Sequence, residues 1–289
     1  MGLTSLCSFL SLLKKVKELN NFSDKKKFVN LICNGDRVGL VHIKIADIII
    51  ESNLPYLYKN NSLILRERNK NKLNITLENT SDLLVKKKII KVITGEMFPC
   101  TLTLGGRVYF LLDRALVEYL GIRGYGVHLI AYVKDNKKIK IWTPRRAKNK
   151  RVEPNKLDNT VAGGISAGET VYEALVRESY EEAALEKNII STAVLSGTIN
   201  YTWRNKDFSL RRDTLFLYDL EVSKNIIPKN MDGELVKFRL LSEEKIMEKI
   251  QKTNDFKKNC VLVLASFLIK RGLINNDNEC DYEEICRLL

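Results

Sequence analysis

Three glutamates in the middle of the chain are spaced so that a helix would gather their carboxylates. Glu178, Glu181 and Glu182 lie near the end of the segment GGISAGETVYEALVRESYEEAAL, residues 163–185. In a helix over about 169–185, residues three and four apart share a face, so Glu178 and Glu182 stack and Glu181 lies beside them. Like charges at this spacing repel one another. Mg²⁺ prefers carboxylate oxygen and recruits substrate phosphates, so it would relieve the repulsion.

A solvated acidic helix face is the ordinary alternative, and the neighbouring residues argue against it. Val171, Leu175 and Leu185 fall on nearly the same side of the helix as two of the glutamates. An amphipathic surface helix normally separates apolar from charged residues onto opposite faces. Here the inward stripe changes from apolar to acidic along its length, which favours a metal site.

Three glycines precede this helix. Gly163, Gly164 and Gly168 allow the backbone to turn tightly and to approach a ligand closely. The N-terminus of the helix adds the positive end of a dipole near the same place. This loop and helix are therefore suited to holding an anion such as phosphate beside the metal.

The spacing of Gly163, Glu169, Arg177 and the three glutamates resembles the Nudix box, a loop and helix that hold divalent metal against a diphosphate. At a usage of roughly 5–7 % per residue type, a chance match of these six positions has a probability of about 1 in 100,000. The resemblance implies that Glu178 and Glu182 are the principal metal ligands, and that Glu181 joins them or helps to activate water. It also implies that Glu169 and Arg177 brace the loop against the helix. The implied catalytic set is Glu169, Arg177, Glu178, Glu181 and Glu182, with Mg²⁺ or Mn²⁺ as the cofactor.

Two further positions bear on this resemblance. The box usually has Gly where this chain has Ala184, which indicates either ordinary helical dihedral angles there or a modest strain cost. The family often adds an acidic residue from a later loop. Glu234, close to Asp232, is our candidate for that further metal ligand; the alternative is a turn residue before a strand.

Several side chains outside the box are candidates for substrate binding. Arg145, Arg146 and Lys156 could bind phosphate, for which arginine is well suited. Trp203, Tyr201 or Tyr132 could stack on an aromatic heterocycle, and a cationic ring would suit such a face. Asp158 and Asn159 could hydrogen-bond a ring or the water around a phosphate. Each could instead be a surface charge or a core aromatic. The candidate set is Arg145, Arg146, Lys156, Asp158, Asn159, Gly163, Gly164, Trp203 and Arg212.

A wider likeness is carried by GVHLIAYV, PRRAKNKRVEPNKLDNTVAGGI, RRDTLFLYDLE and PKNMDGELVKFRLL. These segments resemble the thiamine-pyrophosphokinase-related Nudix subgroup, whose members carry an N-terminal domain; FVNLICNGDRVGLV and DRALVEYLGIRGYGVH are similar to that domain. The motif RRD recurs in the subgroup, which is why Arg212 is a candidate. Members are hydrolases of thiamine diphosphate and its oxidised analogues. The resemblance therefore implies a Mg²⁺-dependent hydrolase that releases the monophosphate and phosphate.

Two other functions fit the same box. One is a hydrolase of nucleoside di- or triphosphates, including oxidised ones. The other is a non-catalytic module that binds a nucleotide or RNA, for which an incomplete glutamate set would be expected. The set here is complete.

Composition narrows the partners and the compartment. The 289 residues carry a net charge of +13, but much of the excess is lysine mixed with asparagine, so nucleic acid is not a favoured partner. Six scattered cysteines without a CxxC pair, together with two histidines, argue against zinc and for a reducing compartment. No run of 18 apolar residues occurs, so no membrane partner is predicted. We expect a cytoplasmic protein that acts on a small-molecule diphosphate; its oligomeric state stays open.

The elements that must position the box divide into two parts. We predict an N-terminal α+β domain over 1–122 and a Nudix domain over 123–289 with helices at its C-terminal end. The second part is expected to be an α/β/α sandwich with a mixed sheet. In the first part, a helix over 3–20 is expected to pack on its own domain, and alternation in KLNITLEN, residues 72–79, predicts a strand.

Overall fold

The chain forms three β-sheets with helices around them in a computed structural model that describes residues 11–136 and 138–289. The helices are α1 (Leu12–Leu19), α2 (Ile43–Glu51), α3 (Lys70–Lys86), α4 (Arg114–Val117), α5 (Val171–Ala183), α6 (Lys187–Ile190), α7 (Glu243–Lys252), α8 (Lys258–Lys270) and α9 (Tyr282–Leu288), with a 3-10 turn at Lys25–Lys27. The strands are β1 (Phe28–Cys33), β2 (Asp36–His42), β3 (Tyr56–Lys59), β4 (Ser62–Leu65), β5 (Met97–Cys100), β6 (Phe110–Asp113), β7 (Arg123–Asp135), β8 (Lys138–Arg146), β9 (Val161–Gly164), β10 (Val194–Arg204), β11 (Leu210–Glu221) and β12 (Leu235–Ser242).

The largest sheet has the strand order β10-β11-β7-β8-β12, and β9 also pairs with β7. Strand β11 runs parallel to β7, whereas β8 and β9 run antiparallel to it, so the sheet is mixed. Successive side chains of a strand point to opposite faces. Ile130 accordingly lies in the core beneath α8, while Leu129 and Ala131 lie in the core beneath α5. The expected α/β/α sandwich with a mixed sheet is confirmed.

The N-terminal part is α+β, as expected. Its four-stranded sheet has the order β2-β1-β4-β3, and β5 and β6 form a separate antiparallel pair. Helices α2, α3 and α4 cover one continuous core with these strands. Gly121 joins this part to β7 at a φ of +55°, and a Cβ there would lie 2.0 Å from the carbonyl oxygen of Leu40. Glycine is required at this crossing because of both its backbone angle and the close approach.

Helix α1 does not pack on the N-terminal core. Leu12, Val16 and Leu19 are fully buried in the core that contains α8, and the helix contacts α8, α9 and β10. The expectation that this helix packs on its own domain is therefore wrong for the described part, 12–19. Residues 3–10 of the predicted helix lie outside the described residues. The domain boundary at residue 122 stays a proposal. With that boundary, α1 belongs to the N-terminal part by sequence but packs against the second part.

Residues 72–79 are helical, and the predicted strand there is wrong. Helix α3 buries Leu73, Leu77 and Leu84, which recur at helical spacing, and the short alternation in KLNITLEN is part of that longer period. The side chain of Asn69 accepts hydrogen bonds from the amides of Asn71 and Lys72 and so caps the helix start. An eight-residue segment such as 72–79 is too short for helical spacing to be distinguished from strand alternation.

Candidate active site

Helix α5 carries the three glutamates, and it starts and ends at defined residues. Thr170 is its N-cap: the hydroxyl accepts from the Glu173 amide, while the Glu173 carboxylate accepts from the Thr170 amide. Such a capping box satisfies two backbone donors that the first turn would leave unpaired. The helix therefore spans residues 171–183, slightly shorter than the predicted 169–185.

Ala184 ends the helix in the left-handed conformation, with φ 51° and ψ 32°. Its amide donates to the Tyr180 carbonyl at 3.0 Å, and the Leu185 amide donates to the Ser179 carbonyl at 3.1 Å. This pattern usually has glycine at the left-handed position. Of the two expectations for Ala184, the strain cost is the one that the structure bears out.

We therefore expect Ala184→Gly to stabilise the protein. A left-handed alanine costs roughly 1–2 kcal/mol, and the greater unfolded-state freedom of glycine offsets part of the gain, so about 0.5–1 kcal/mol should remain. Urea denaturation measures the change. Ala183→Gly is the matched control, because Ala183 is helical and buried and its replacement should destabilise the fold. Equal or lower stability for Ala184→Gly would contradict the strain interpretation.

The three glutamates differ in exposure. The side chain of Glu182 is buried, that of Glu178 is 12 % exposed and that of Glu181 is 44 % exposed. A carboxylate oxygen of Glu182 accepts from the Ala162 amide in β9 at 2.8 Å. A Cβ placed on Gly163 would lie 1.8 Å from the Glu178 carboxyl carbon. Gly163 is therefore needed because any side chain there would occupy the position of the Glu178 carboxylate.

Arg177 ties the loop to the helix and to the glutamates. Its Nε and Nη2 atoms donate to the Glu169 carboxylate at 2.5 and 2.9 Å, and Nη2 also donates to the Gly164 carbonyl. Its Nη1 atom donates to Glu178 at 2.9 Å and to Glu181 at 3.1 Å. Glu169 also accepts from the Ser166 amide at 2.9 Å. The expected contact between Glu169 and Arg177 is present, and it orients two of the three box carboxylates.

Burial raises the pKa of two box glutamates. Desolvation raises the pKa of Glu178 to about 7, with Glu181 adding to the rise and Arg177 and Arg114 opposing it. Desolvation, followed by the charges of Glu178 and Asp158, raises the pKa of Glu182 well above its usual value. A bound cation would compensate the charge of these buried carboxylates, whose oxygen atoms suit a hard divalent metal.

The box carboxylates that could bind a metal are present, but their oxygen atoms do not converge on one point. Among the described residues, the group of three metal-ligating side chains whose atoms lie within 4.8 Å of one another is Glu279, Cys280 and Asp281, in a different part of the chain. One Arg177 nitrogen binds both Glu178 and Glu181, while Glu182 accepts from the Ala162 amide, so the three carboxylates have different partners. Their chemistry fits a metal, and their positions are set by this protein network.

A cavity of about 570 Å³ lies in front of the glutamates. That volume suits a small organic diphosphate. Candidates that line the cavity are Arg146, Gly163, Gly164, Arg177, Glu178, Glu181, Glu182, Arg212 and Glu234. Glu234 is paired with Lys150 there, and Asp232 lies beside it.

Three candidates lie away from this cavity. Arg145 pairs with Asp255 at 3.2 Å and also donates to the Asn155 carbonyl. Lys156 borders a separate, smaller cavity. Trp203 packs between Lys258 and Arg211, which lie over its ring at 4.7 and 5.8 Å. Alternation along strand β8 explains the position of Arg145, because its neighbour Arg146 points to the opposite face and lines the cavity.

The remaining stacking candidates belong to the interior. Tyr132 is buried and packs against Phe267. Tyr201 is buried, and its hydroxyl donates to Asp213 at 2.5 Å. Neither ring lines the cavity, so both are core aromatics, the alternative considered for them.

Asp158 and Asn159 lie behind the cavity in a buried polar cluster. Asp158 pairs with Arg146 at 2.6 Å and with Lys257 at 3.5 Å. The side-chain amide nitrogen of Asn159 lies 2.8 Å from Nδ1 of His128. Burial lowers the pKa of His128 to about 3, so this ring is neutral at physiological pH. The cluster supports the cavity wall from inside.

The structure adds cavity residues that the motif did not indicate. Glu96, Phe98 and Arg114 come from the N-terminal part, and Tyr125 comes from β7. Tyr125 lies in the quoted segment GIRGYGVH, which was the available signal for it. Glu96 and Phe98 lie outside the segments that carry the likeness to the subgroup, so sequence reasoning had no signal for them.

Comparison with known proteins agrees with the site. A model of the NUDIX domain matches residues 123–262. Nudix hydrolase 20 of Arabidopsis thaliana, a chloroplastic protein by name, is 32 % identical over 277 residues, which cover 92 % of this chain and 74 % of the plant protein. The chain therefore belongs to the Nudix hydrolase family, and it is an enzyme of the pyrophosphohydrolase class.

Two further proteins are similar to part of this chain. Nudix hydrolase 24 of Arabidopsis thaliana, also chloroplastic by name, is 35 % identical over 196 residues, covering 68 % of this chain and 53 % of its own length. The chain thus spans about half of that relative. A solved Ap4A hydrolase of Caenorhabditis elegans is 17 % identical, with a TM-score of 0.38, covering 52 % of this chain and 99 % of its own. Within the described residues, no helix is both long and apolar enough to span a bilayer. The expected cytoplasmic location stays a prediction.

Proposed function

We propose that this protein is a Mg²⁺-dependent hydrolase of a small organic diphosphate, with thiamine diphosphate or its oxidised analogues as substrate. The observation that carries the proposal is the position of the box. Glu178 and Glu181, oriented by the Glu169–Arg177 pair, and Glu182, held by the Ala162 amide, line one wall of a cavity large enough for such a molecule.

In this proposal Glu178 and Glu182 hold the metal, Glu181 joins them or activates water, and Glu234 is the further acidic ligand. Nudix hydrolases generally use a divalent metal such as Mg²⁺. The chemistry that Mg²⁺ supplies when bound is neutralisation of the diphosphate charge and acidification of the attacking water. Mn²⁺ is the alternative ion.

The reaction requires one bond to form and one to break. The oxygen of water bonds to phosphorus, the P–O–P bridge breaks, and the bridging oxygen leaves with the other phosphate. A box carboxylate accepts the proton that water loses. Displacements of this kind need mostly positioning and electrostatics, and the Arg177 network fixes the carboxylates for that purpose.

The organic part of the substrate is assigned from the cavity wall and from the subgroup resemblance. Phe98 and Tyr125 line the cavity, and flat rings suit an aromatic heterocycle. The Tyr125 hydroxyl is buried and has no hydrogen-bond partner among the described groups. Arg146, Arg212, Gly163 and Gly164 complete the proposed binding set; Arg145, Lys156 and Trp203 are left out because they lie elsewhere.

A substrate screen tests this proposal. With Mg²⁺, the purified protein should release phosphate from oxythiamine diphosphate faster than from nucleoside, sugar or coenzyme diphosphates. Oxidised nucleoside triphosphates belong in the same screen, because their hydrolysis would release pyrophosphate instead. Release of pyrophosphate alone would replace the thiamine assignment with a nucleotide substrate. No turnover of any diphosphate would indicate a binding module.

A further inference from the structure

The cavity has a wall that the box does not supply. The cavity is bordered there by Glu96, strand β5 and the start of α4, all from the N-terminal part. Among their side chains, Glu96, Phe98 and Arg114 line the cavity. The N-terminal part therefore contributes specific side chains to the cavity.

This wall is docked directly on the loop before the box helix. The Ala167 amide donates to the Met97 carbonyl at 2.9 Å, and the Ser166 hydroxyl lies 3.2 Å from a Glu96 carboxylate oxygen. A Cβ on Gly164 would lie 2.7 Å from the edge of the Phe98 ring. Strand β5 is therefore fixed against the same backbone on which Glu178 rests.

Arg114 is held at the end of this wall. Its amide donates to the Glu96 carbonyl at 2.9 Å, and its Nη1 atom donates to the Glu96 carboxylate at 2.7 Å. Its guanidinium also lies over the Phe98 ring, 5.5 Å from the centroid. The preceding residue, Asp113, accepts hydrogen bonds from the amides of Thr94, Gly95 and Ala115, which fixes the backbone on both sides of the cavity wall.

Arg114 keeps side-chain N–H donors unused, whereas Arg177 and Arg146 use theirs within the protein. Arg177 bonds three carboxylates and a carbonyl, and Arg146 bonds Asp158 and the Val152 carbonyl. Arg114 makes a single side-chain hydrogen bond to a described residue, although a guanidinium has five N–H donors. Its side chain is 47 % exposed, so the remaining donors are accessible from the cavity.

The position of Arg114, its charge and its unused N–H donors all suit contact with a bound phosphate. Phe98 lies between Arg114 and Gly164, and Gly164 adjoins Gly163, against which Glu178 lies. An arginine with unused N–H groups next to a carboxylate cluster is suited to bidentate contact with a phosphate bound there. We infer that the N-terminal part completes the active site, and that Arg114 binds a phosphate of the substrate diphosphate. This inference rests on the proposed function for the identity of the substrate alone.

The test uses a diphosphate that cannot be hydrolysed. Binding of methylenediphosphonate in the presence of Mg²⁺ is measured by calorimetry on the full chain. A charge-assisted hydrogen bond to phosphate contributes about tenfold or more in affinity, so Arg114→Met should weaken binding by at least that factor. Arg114→Lys should recover part of the loss. Methionine retains contact with Phe98, and the half-exposed position tolerates the change.

Arg107→Met is the matched control. Arg107 belongs to the same part of the chain and lies over the Tyr109 ring at 5.0 Å, but it does not line the cavity. Its replacement should leave the affinity unchanged. With a hydrolysed diphosphate, Arg114→Met should raise KM and leave kcat within about threefold, because the contact is made equally in the ground and transition states.

The outcomes separate this inference from the proposed function. Affinity of Arg114→Met within about twofold of wild type would overturn the inference, since a lost phosphate contact cannot cost so little. A wild-type protein that binds methylenediphosphonate through Arg114 yet hydrolyses no thiamine-type diphosphate would support the inference and contradict the substrate assignment.

Discussion

Glu182→Gln should lower kcat by at least about 100- to 1000-fold, because the proposed metal loses a charged oxygen ligand that stabilises the transition state. The fold should survive the change. Glutamine has the same shape, and its side-chain carbonyl oxygen can accept a hydrogen bond from the Ala162 amide, as the Glu182 carboxylate does at 2.8 Å. Steady-state kinetics on phosphate release measures the loss. Glu186→Gln is the matched control, since that exposed residue lies just beyond the same helix and should have no effect.

Stability should change in the opposite direction from activity. Desolvation raises the pKa of Glu182, so the folded protein holds its proton more tightly than the unfolded chain. As pH rises above the usual value of 4.5, the unfolded state ionises first and wild-type stability falls; neutral glutamine escapes this loss. Without metal, the variant should therefore be at least as stable as wild type at pH 8, with the difference vanishing below about pH 4.5.

Bound Mg²⁺ should make wild type more stable than Glu182→Gln. At about 100 times its dissociation constant, a bound ion adds about 2.7 kcal/mol to wild type, and Glu182→Gln should lose most of this. Thermal unfolding with Mg²⁺ and with a chelator provides the comparison. A Glu182→Gln enzyme with normal kcat, or with an unchanged response to Mg²⁺, would remove Glu182 from the site.

Asp158→Asn should lower the free energy of unfolding by about 3–5 kcal/mol, since it leaves Arg146 and Lys257 buried beside a neutral group. Asp158 is buried, with Arg146 at 2.6 Å and Lys257 at 3.5 Å. That loss is a large part of the stability of an ordinary domain. Urea denaturation at pH 7 measures it. Asp135→Asn is the control, because its pairs with Lys140 and Lys224 are more exposed and should contribute less than about 1 kcal/mol.

The pH dependence of this effect has a defined sign. Burial alone would raise the pKa of Asp158, but Lys257 and Arg146 outweigh it and hold the pKa well below the usual value of 3.8. The stabilising contribution is thus complete above about pH 4 and is lost as pH falls below that value, where wild type and variant should converge. A constant difference between pH 7 and pH 3 would contradict a charge-based role for Asp158.

The box and the type of fold were predictable from the sequence by itself. Spacing along one helix is a local property, so Glu178, Glu181 and Glu182 could be placed on one face without knowing any distant contact. Even the left-handed angle of Ala184 was one of two outcomes that the local pattern allowed.

The tertiary structure alone decided what faces the box. Arg145 and Arg146 are adjacent in sequence, yet one pairs with Asp255 away from the cavity and the other lines it, because strand β8 alternates its side chains. Arg114 and Phe98 reach the cavity because their segment is bound to the loop before the box helix by contacts between distant residues, such as Ser166 with Glu96 and Ala167 with Met97. Local sequence cannot specify such contacts, because they depend on how the N-terminal sheets and helices pack against the loop before the box helix. The sequence thus identified the carboxylates, and the docking of the two parts determined the cavity that a substrate would enter.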